Sequence, residues 1–104
     1  MRNEQIYIIL YDIEDDKVRD RLAKHLEQWG YERIQYSVFI GLQPIHKNKT
    51  LQQIIKDLID IEAFPNDKVF SISLPRRKLH TCVLIGKMNA DTLYLKGEKK
   101  WEIF

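Results

Sequence analysis

The chain has 104 residues, of which 44% are hydrophobic and 31% charged, a balance that fits a folded domain and not a disordered segment. That length holds one core and leaves no room for a second, so residues 1–104 are expected to form a single domain. The 17 Lys and Arg against 15 Asp and Glu leave a net charge of +2, which permits a nucleic-acid partner without requiring one, and the single cysteine, Cys82, excludes an internal disulfide framework.

The opening residues, Met1-Arg2-Asn3-Glu4-Gln5, carry neither the apolar segment nor the small-residue cleavage site of a signal peptide. No apolar run is long enough to span a bilayer, so a cytoplasmic protein with no membrane partner is expected. Ile6 to Ile13 is a β-branched and aromatic run that suits a strand buried on both faces. It ends on Asp12, just before the acidic cluster Glu14-Asp15-Asp16. A carboxylate is costly in a core and cheap at a strand mouth open to water. Asp12 therefore either ends the strand and helps start the next helix, or stands there to hold a metal ion or activate water.

Asp15 or Asp16 can cap that helix, and Val18, Leu22, Leu26 and Trp29 follow at helical spacing as one apolar stripe closed by Gly30. Arg19, Arg21 and Lys24 lie off the stripe, either as a solvated face or, for Arg19 near the strand end, within reach of a phosphate beside Asp12. Tyr31 to Gly41 alternates as one long strand. Ile34, Tyr36, Val38 and Ile40 form its expected core face, and Arg33, Gln35, Ser37 and Phe39 its outer face. An outward Arg33 with Phe39 suits stacking and phosphate contacts to nucleic acid, or a protein contact.

Leu42 to Lys49 is expected as a loop. Thr50 with Gln53 fits a capping box, and Leu51, Ile54, Ile55, Leu58 and Ile59 repeat as an amphipathic helix. Phe64-Pro65-Asn66-Asp67 turns the chain into a strand over Val69–Leu74, with Phe70, Ile72 and Leu74 as its core face. Pro75-Arg76-Arg77-Lys78 is a basic turn, solvated or phosphate-gripping. Thr81–Ile85 is a short strand candidate, and Leu93–Leu95 with Trp101–Phe104 gives a hairpin signal whose aromatic end suits docking onto a symmetry mate. The order predicts an α+β domain, ferredoxin-like, with an antiparallel sheet, two helices on one face and extra C-terminal strands over residues 80–104.

No Gly-rich phosphate loop, zinc-type Cys pair or nucleophile elbow is present, and His25, His46 and His80 lack ligand spacing. What remains is Asp12 with Arg19, Arg21 and Arg33. Tyr11-Asp12-Ile13 at the strand end, Arg19-x-Arg21 on the next helix, and Arg33-Ile34-Gln35-Tyr36-Ser37-Val38-Phe39 after Gly30-Tyr31 resemble the Cas2 family of small CRISPR-associated adaptation proteins.

The resemblance implies a βαββαβ ferredoxin-like fold, and a homodimer whose sheets face each other and whose C-terminal strands pair with the partner's sheet. It also implies that Tyr31–Gly41 is two short strands turning near Gln35-Tyr36. For activity it implies a magnesium-dependent endonuclease on RNA or double-stranded DNA, or a non-catalytic bridge between CRISPR integrase subunits in spacer acquisition. Asp12 would then be the magnesium ligand or catalytic carboxylate, and Tyr11, Arg19, Arg21, Arg33 and Phe39 supporting or substrate-contacting positions. Ile40, where the family often has an acid, and the long basic segment Pro75–His80 depart from the pattern. A toxin-type ribonuclease of related fold is the further alternative.

Overall fold

The computed structural model describes residues 4–81, 83–85 and 102–103. Strand β1 (Gln5–Asp12) leads into helix α1 (Asp16–Gln28), then β2 (Glu32–Gln35), β3 (Val38–Gly41), α2 (Lys49–Leu58) and β4 (Lys68–Pro75). The four strands form one antiparallel sheet in the order β2-β3-β1-β4, so β1 lies inside, flanked by β3 and β4. This is the ferredoxin-like arrangement. Short 3-10 helices at Ile45–Lys47 (one turn) and Arg76–Thr81 (two turns) complete the main body.

Local chemistry explains each boundary. Asp15 caps α1 by accepting from the backbone N–H groups of Lys17 and Val18 at 2.8 and 3.1 Å. Gly30, at φ 92°, takes the left-handed turn that releases the chain into β2. The cap of α2 is Asn48, whose side chain accepts from Leu51 N–H at 2.9 Å. The expected Thr50–Gln53 capping box is not used, because the helix begins earlier, at Lys49.

Both helices cover the face of the sheet that carries Ile9, Tyr11 and Phe39. Leu22, Ala23 and Leu26 of α1 and Leu51 and Ile55 of α2 join them in the main core. Ile6 and Ile40 lie in a second cluster, with Ile8, Ile34 and Leu74 packed against them. Strand alternation puts that cluster on the opposite face.

Two expectations fail here. Tyr31–Gly41 is two strands joined at Tyr36-Ser37, with the register shifting between Arg33 and Gln35. Its phase is also inverted: Phe39 is fully buried under the helices, while Tyr36 is 60% exposed. Periodicity gave the alternation but not which set faces the helices. The same inversion affects β4, where Phe70 and Ile72 are about half exposed, away from the helices, and Val69 packs on the main core.

Val83–Leu84 (β5) pairs in parallel with Glu102–Ile103 (β6) of the same chain. Leu93–Leu95, the other half of the expected hairpin, lies outside the described residues. No described helix is long and apolar enough to cross a membrane.

Tyr31 wedges the far end of β3. Its ring lies where a Cβ on Gly41 would be, and its hydroxyl donates to the Gln43 carbonyl at 2.5 Å. Burial, with a smaller contribution from Tyr7, pushes its phenol up from 10.0 to about 12. Between those values the folded chain keeps a proton that the unfolded chain has lost, so stability falls as pH rises through the window. Urea unfolding at pH 9 and pH 11.5 is expected to show this loss, and Tyr31→Phe to reduce it.

Candidate active site at the carboxyl end of the first strand

Asp12 is the last residue of β1, and its side chain is 81% exposed. Its cross-strand partner is Lys68, the first residue of β4, whose Nζ stands 3.9 Å from Asp12 Oδ2. Alternation along β1 puts Asp12 on the same face as Ile8 and Leu10, at the rim of the face the helices leave uncovered. The loop beyond it is held at both ends. Glu14 N–H donates to Asp67 Oδ1 at 3.0 Å, and Asp15 is committed to the helix cap. Asp15 and Asp16 of the acidic cluster are thus engaged within α1, and Asp12 stands ahead of them at the strand mouth.

Arg19 is a loop clamp. Its guanidinium donates to the carbonyls of Ile13 and Glu14 at 2.7 and 3.1 Å, and it pairs with Asp16 one helical turn away. Satisfying two carbonyls of the β1–α1 loop fixes the path of the chain just after Asp12. Arg21 is exposed on the same helix and, among the described residues, joins no ion pair or ring contact.

Tyr11 points the other way from Asp12, into the core, with its ring stacked on Phe39 at 6.2 Å and 28°. Its hydroxyl donates to the Tyr36 carbonyl at 3.3 Å, and its backbone N–H to the Ser37 carbonyl at 3.1 Å. The β2–β3 turn therefore hangs from the residue next to Asp12. Arg33, opposite Phe39 in the ladder, lays its guanidinium 5.2 Å from the Phe39 ring centre and 5.8 Å from that of Tyr36. Arg19 approaches Tyr36 at 5.6 Å.

Five of the expected residues thus divide into two groups at one end of the sheet. Tyr11, Phe39, Arg33 and Arg19 connect on the helix side, and Asp12 stands on the other face with Lys68. Phe39 is a buried support and not a contact surface. Lys68 and Tyr36 were not among the expected site residues. Register through β4 would have found Lys68, whereas Tyr36 is disguised in the sequence as one more position of an alternating strand.

Among the described residues no group of three or more His, Cys, Asp or Glu could hold a metal ion. One exposed carboxylate is nonetheless the kind of donor magnesium takes, since it keeps several waters and completes its shell with substrate phosphate oxygens. It does not match the closed nitrogen and sulfur shell of zinc. The site can place one carboxylate and one ammonium against a phosphodiester approaching from solvent.

The family model described as CRISPR associated protein Cas2 matches residues 5–81. CRISPR-associated endoribonuclease Cas2 1 of Archaeoglobus fulgidus is 36% identical over 93 residues, covering 88% of this chain and 95% of that protein. CRISPR-associated endoribonuclease Cas2 2 of Pyrobaculum aerophilum is 34% identical over 80 residues, covering 76% and 84%. A crystal structure of the hypothetical protein TT1823 from Thermus thermophilus superposes with a TM-score of 0.51 at 29% identity, over 69% of this chain and 80% of that one.

Proposed function

Because the chain belongs to the CRISPR associated protein Cas2 family, we propose that it is a cytoplasmic, CRISPR-associated endoribonuclease that works as a homodimer with Asp12 as its reacting carboxylate. The observation that carries this reading is Asp12 itself, exposed at a fixed strand end on the rim of a sheet face that the helices do not cover and that leaves Phe70 and Ile72 half exposed. Phe70 at 49% and Ile72 at 48% exposure, beside Ile8 and Leu10, make that face one that a second copy can cover. Two sheets packed this way bring the Asp12 of each protomer toward one axis. A Phe70→Glu exchange is expected to leave a folded monomer in sedimentation experiments where the unaltered chain sediments as a dimer.

Magnesium held by Asp12 and substrate oxygens would supply charge stabilisation at the phosphate. Asp12 orients the attacking water and accepts its proton, which its exposure allows without rearrangement. Lys68, next to the carboxylate, offsets negative charge as the phosphorane forms. Arg19 contributes by holding the loop that carries Asp12 and not by touching substrate.

A second reading is favoured by one observation, that the carboxylate at the end of β1, Asp12, faces an ammonium, that of Lys68. In it the dimer is a scaffold of spacer acquisition, spanning double-stranded DNA and docking a CRISPR integrase subunit through its C-terminal segment. Exposed basic residues such as Arg21 and Lys78 then carry the affinity, which falls steeply with salt.

Labelled RNA and duplex DNA, incubated with and without magnesium beside an Asp12→Asn variant, separate the two. RNA cleavage that needs both metal and Asp12 supports the nuclease. Cleavage indifferent to Asp12 overturns it, and salt-sensitive duplex binding without cleavage supports the scaffold.

A further inference from the structure

We infer that Tyr36, with Arg33 beside it, is a seat for one unpaired nucleotide of an RNA strand, distinct from the Asp12 face; this rests on the endoribonuclease reading above. Tyr36 occupies the first position of the two-residue turn between β2 and β3 and is 60% exposed. The turn that carries it is anchored through its backbone. The Tyr36 carbonyl accepts from Tyr11 and the next carbonyl from the Tyr11 backbone, so the turn is tied to the central strand. Its ring lies within 5.6 and 5.8 Å of two guanidinium groups, from different elements of the fold. Preorganisation of this kind lowers the cost of ordering the ring when a ligand arrives.

The two cations are not equivalent. Arg19 is occupied by Asp16 and two carbonyls. Arg33 forms no ion pair with a described residue and rests against the Phe39 and Tyr36 rings by cation–π attraction, while the Nε atoms of both arginines are buried without a hydrogen-bond partner. An exposed aromatic ring on an anchored turn, beside a guanidinium with no ion pair to a described residue, matches the two chemical parts of a nucleotide, a flat base to stack and an adjacent phosphate to neutralise. A base already stacked in a duplex cannot offer its face, so the seat selects a single strand.

Position matters as well as chemistry. The turn bearing Tyr36 is bonded to Tyr11, whose neighbour is Asp12, so seat and carboxylate share one end of the sheet while facing opposite sides. An RNA strand held at Tyr36 must pass around the sheet end to reach Asp12, which requires a flexible unpaired segment.

The test is carried out in an Asp12→Asn background, so that RNA stays intact whatever the catalytic outcome. Binding of a single-stranded RNA and an RNA duplex is measured by fluorescence anisotropy, and stacking by quenching of a 2-aminopurine placed in the single strand. Tyr36→Leu is expected to weaken single-strand binding on the order of tenfold and to abolish the quenching, with duplex binding unchanged. Tyr36→Phe, which keeps the ring, is expected to restore both. Unchanged single-strand binding in Tyr36→Leu, or equal losses for single strand and duplex, overturns the seat and leaves the Asp12 reading standing. No RNA binding by the parent protein overturns both.

Discussion

An Asp12→Asn variant is expected to cut RNA about a hundredfold to ten-thousandfold more slowly than the unaltered chain, the range a positioned proton acceptor contributes, while melting at nearly the same temperature. The two effects separate because Asp12 does little for the fold. Its side chain is 81% exposed and its pairing with Lys68, itself 58% exposed, spans 3.9 Å. A pair of that kind is worth about 0–1 kcal/mol. Asparagine matches the carboxylate in size and keeps a hydrogen-bonding oxygen for Lys68. Initial rates on labelled RNA, set beside a thermal melt of the same preparation, check both halves. A variant that lost activity and stability together would place Asp12 in the scaffold of the strand end.

Phe39→Ala is expected to do the reverse, costing about 3–5 kcal/mol of stability. Phe39 is fully buried, with the Tyr11 ring stacked on one side and the Arg33 guanidinium near its face. Truncation opens a cavity between sheet and helices and removes the surface on which Arg33 rests. Against a total stability of about 5–15 kcal/mol the loss is a large share. Chemical denaturation should show the midpoint falling sharply, with Phe39→Leu recovering much of it. A midpoint unchanged in the alanine variant would contradict the burial described here.

The sequence revealed the architecture more fully than the faces. Helix α1 was legible to its cap and its terminal glycine, because capping and left-handed turns depend on a few neighbouring residues. The strand phases were not: β3 carries apolar side chains on both faces, and in β4 the more apolar set, Phe70, Ile72 and Leu74, lies on the face away from the helices. Alternation cannot say which face meets the helices when Ile40 and Phe39 are both apolar. The β2–β3 turn lacks glycine or asparagine, so local chemistry left it silent, and resemblance to related chains supplied it. Of the candidate site, the exposed strand-end placement of Asp12 was legible, because it depends on local residues. The rest was hidden where partners are distant in sequence, as for Lys68 opposite Asp12 and for Tyr36 between Arg19 and Arg33.

Tyr11 and Asp12 are consecutive, one sealed in the core and the other in water. Sliding β1 by one residue against its neighbours would exchange them, driving a carboxylate beneath the helices and a phenol into solvent. An uncompensated buried charge is prohibitive, so the misaligned sheet has no stable form to compete with the native one. A carboxylate at position 12 thus acts during folding as a proofreading mark, admitting a single alignment of the central strand.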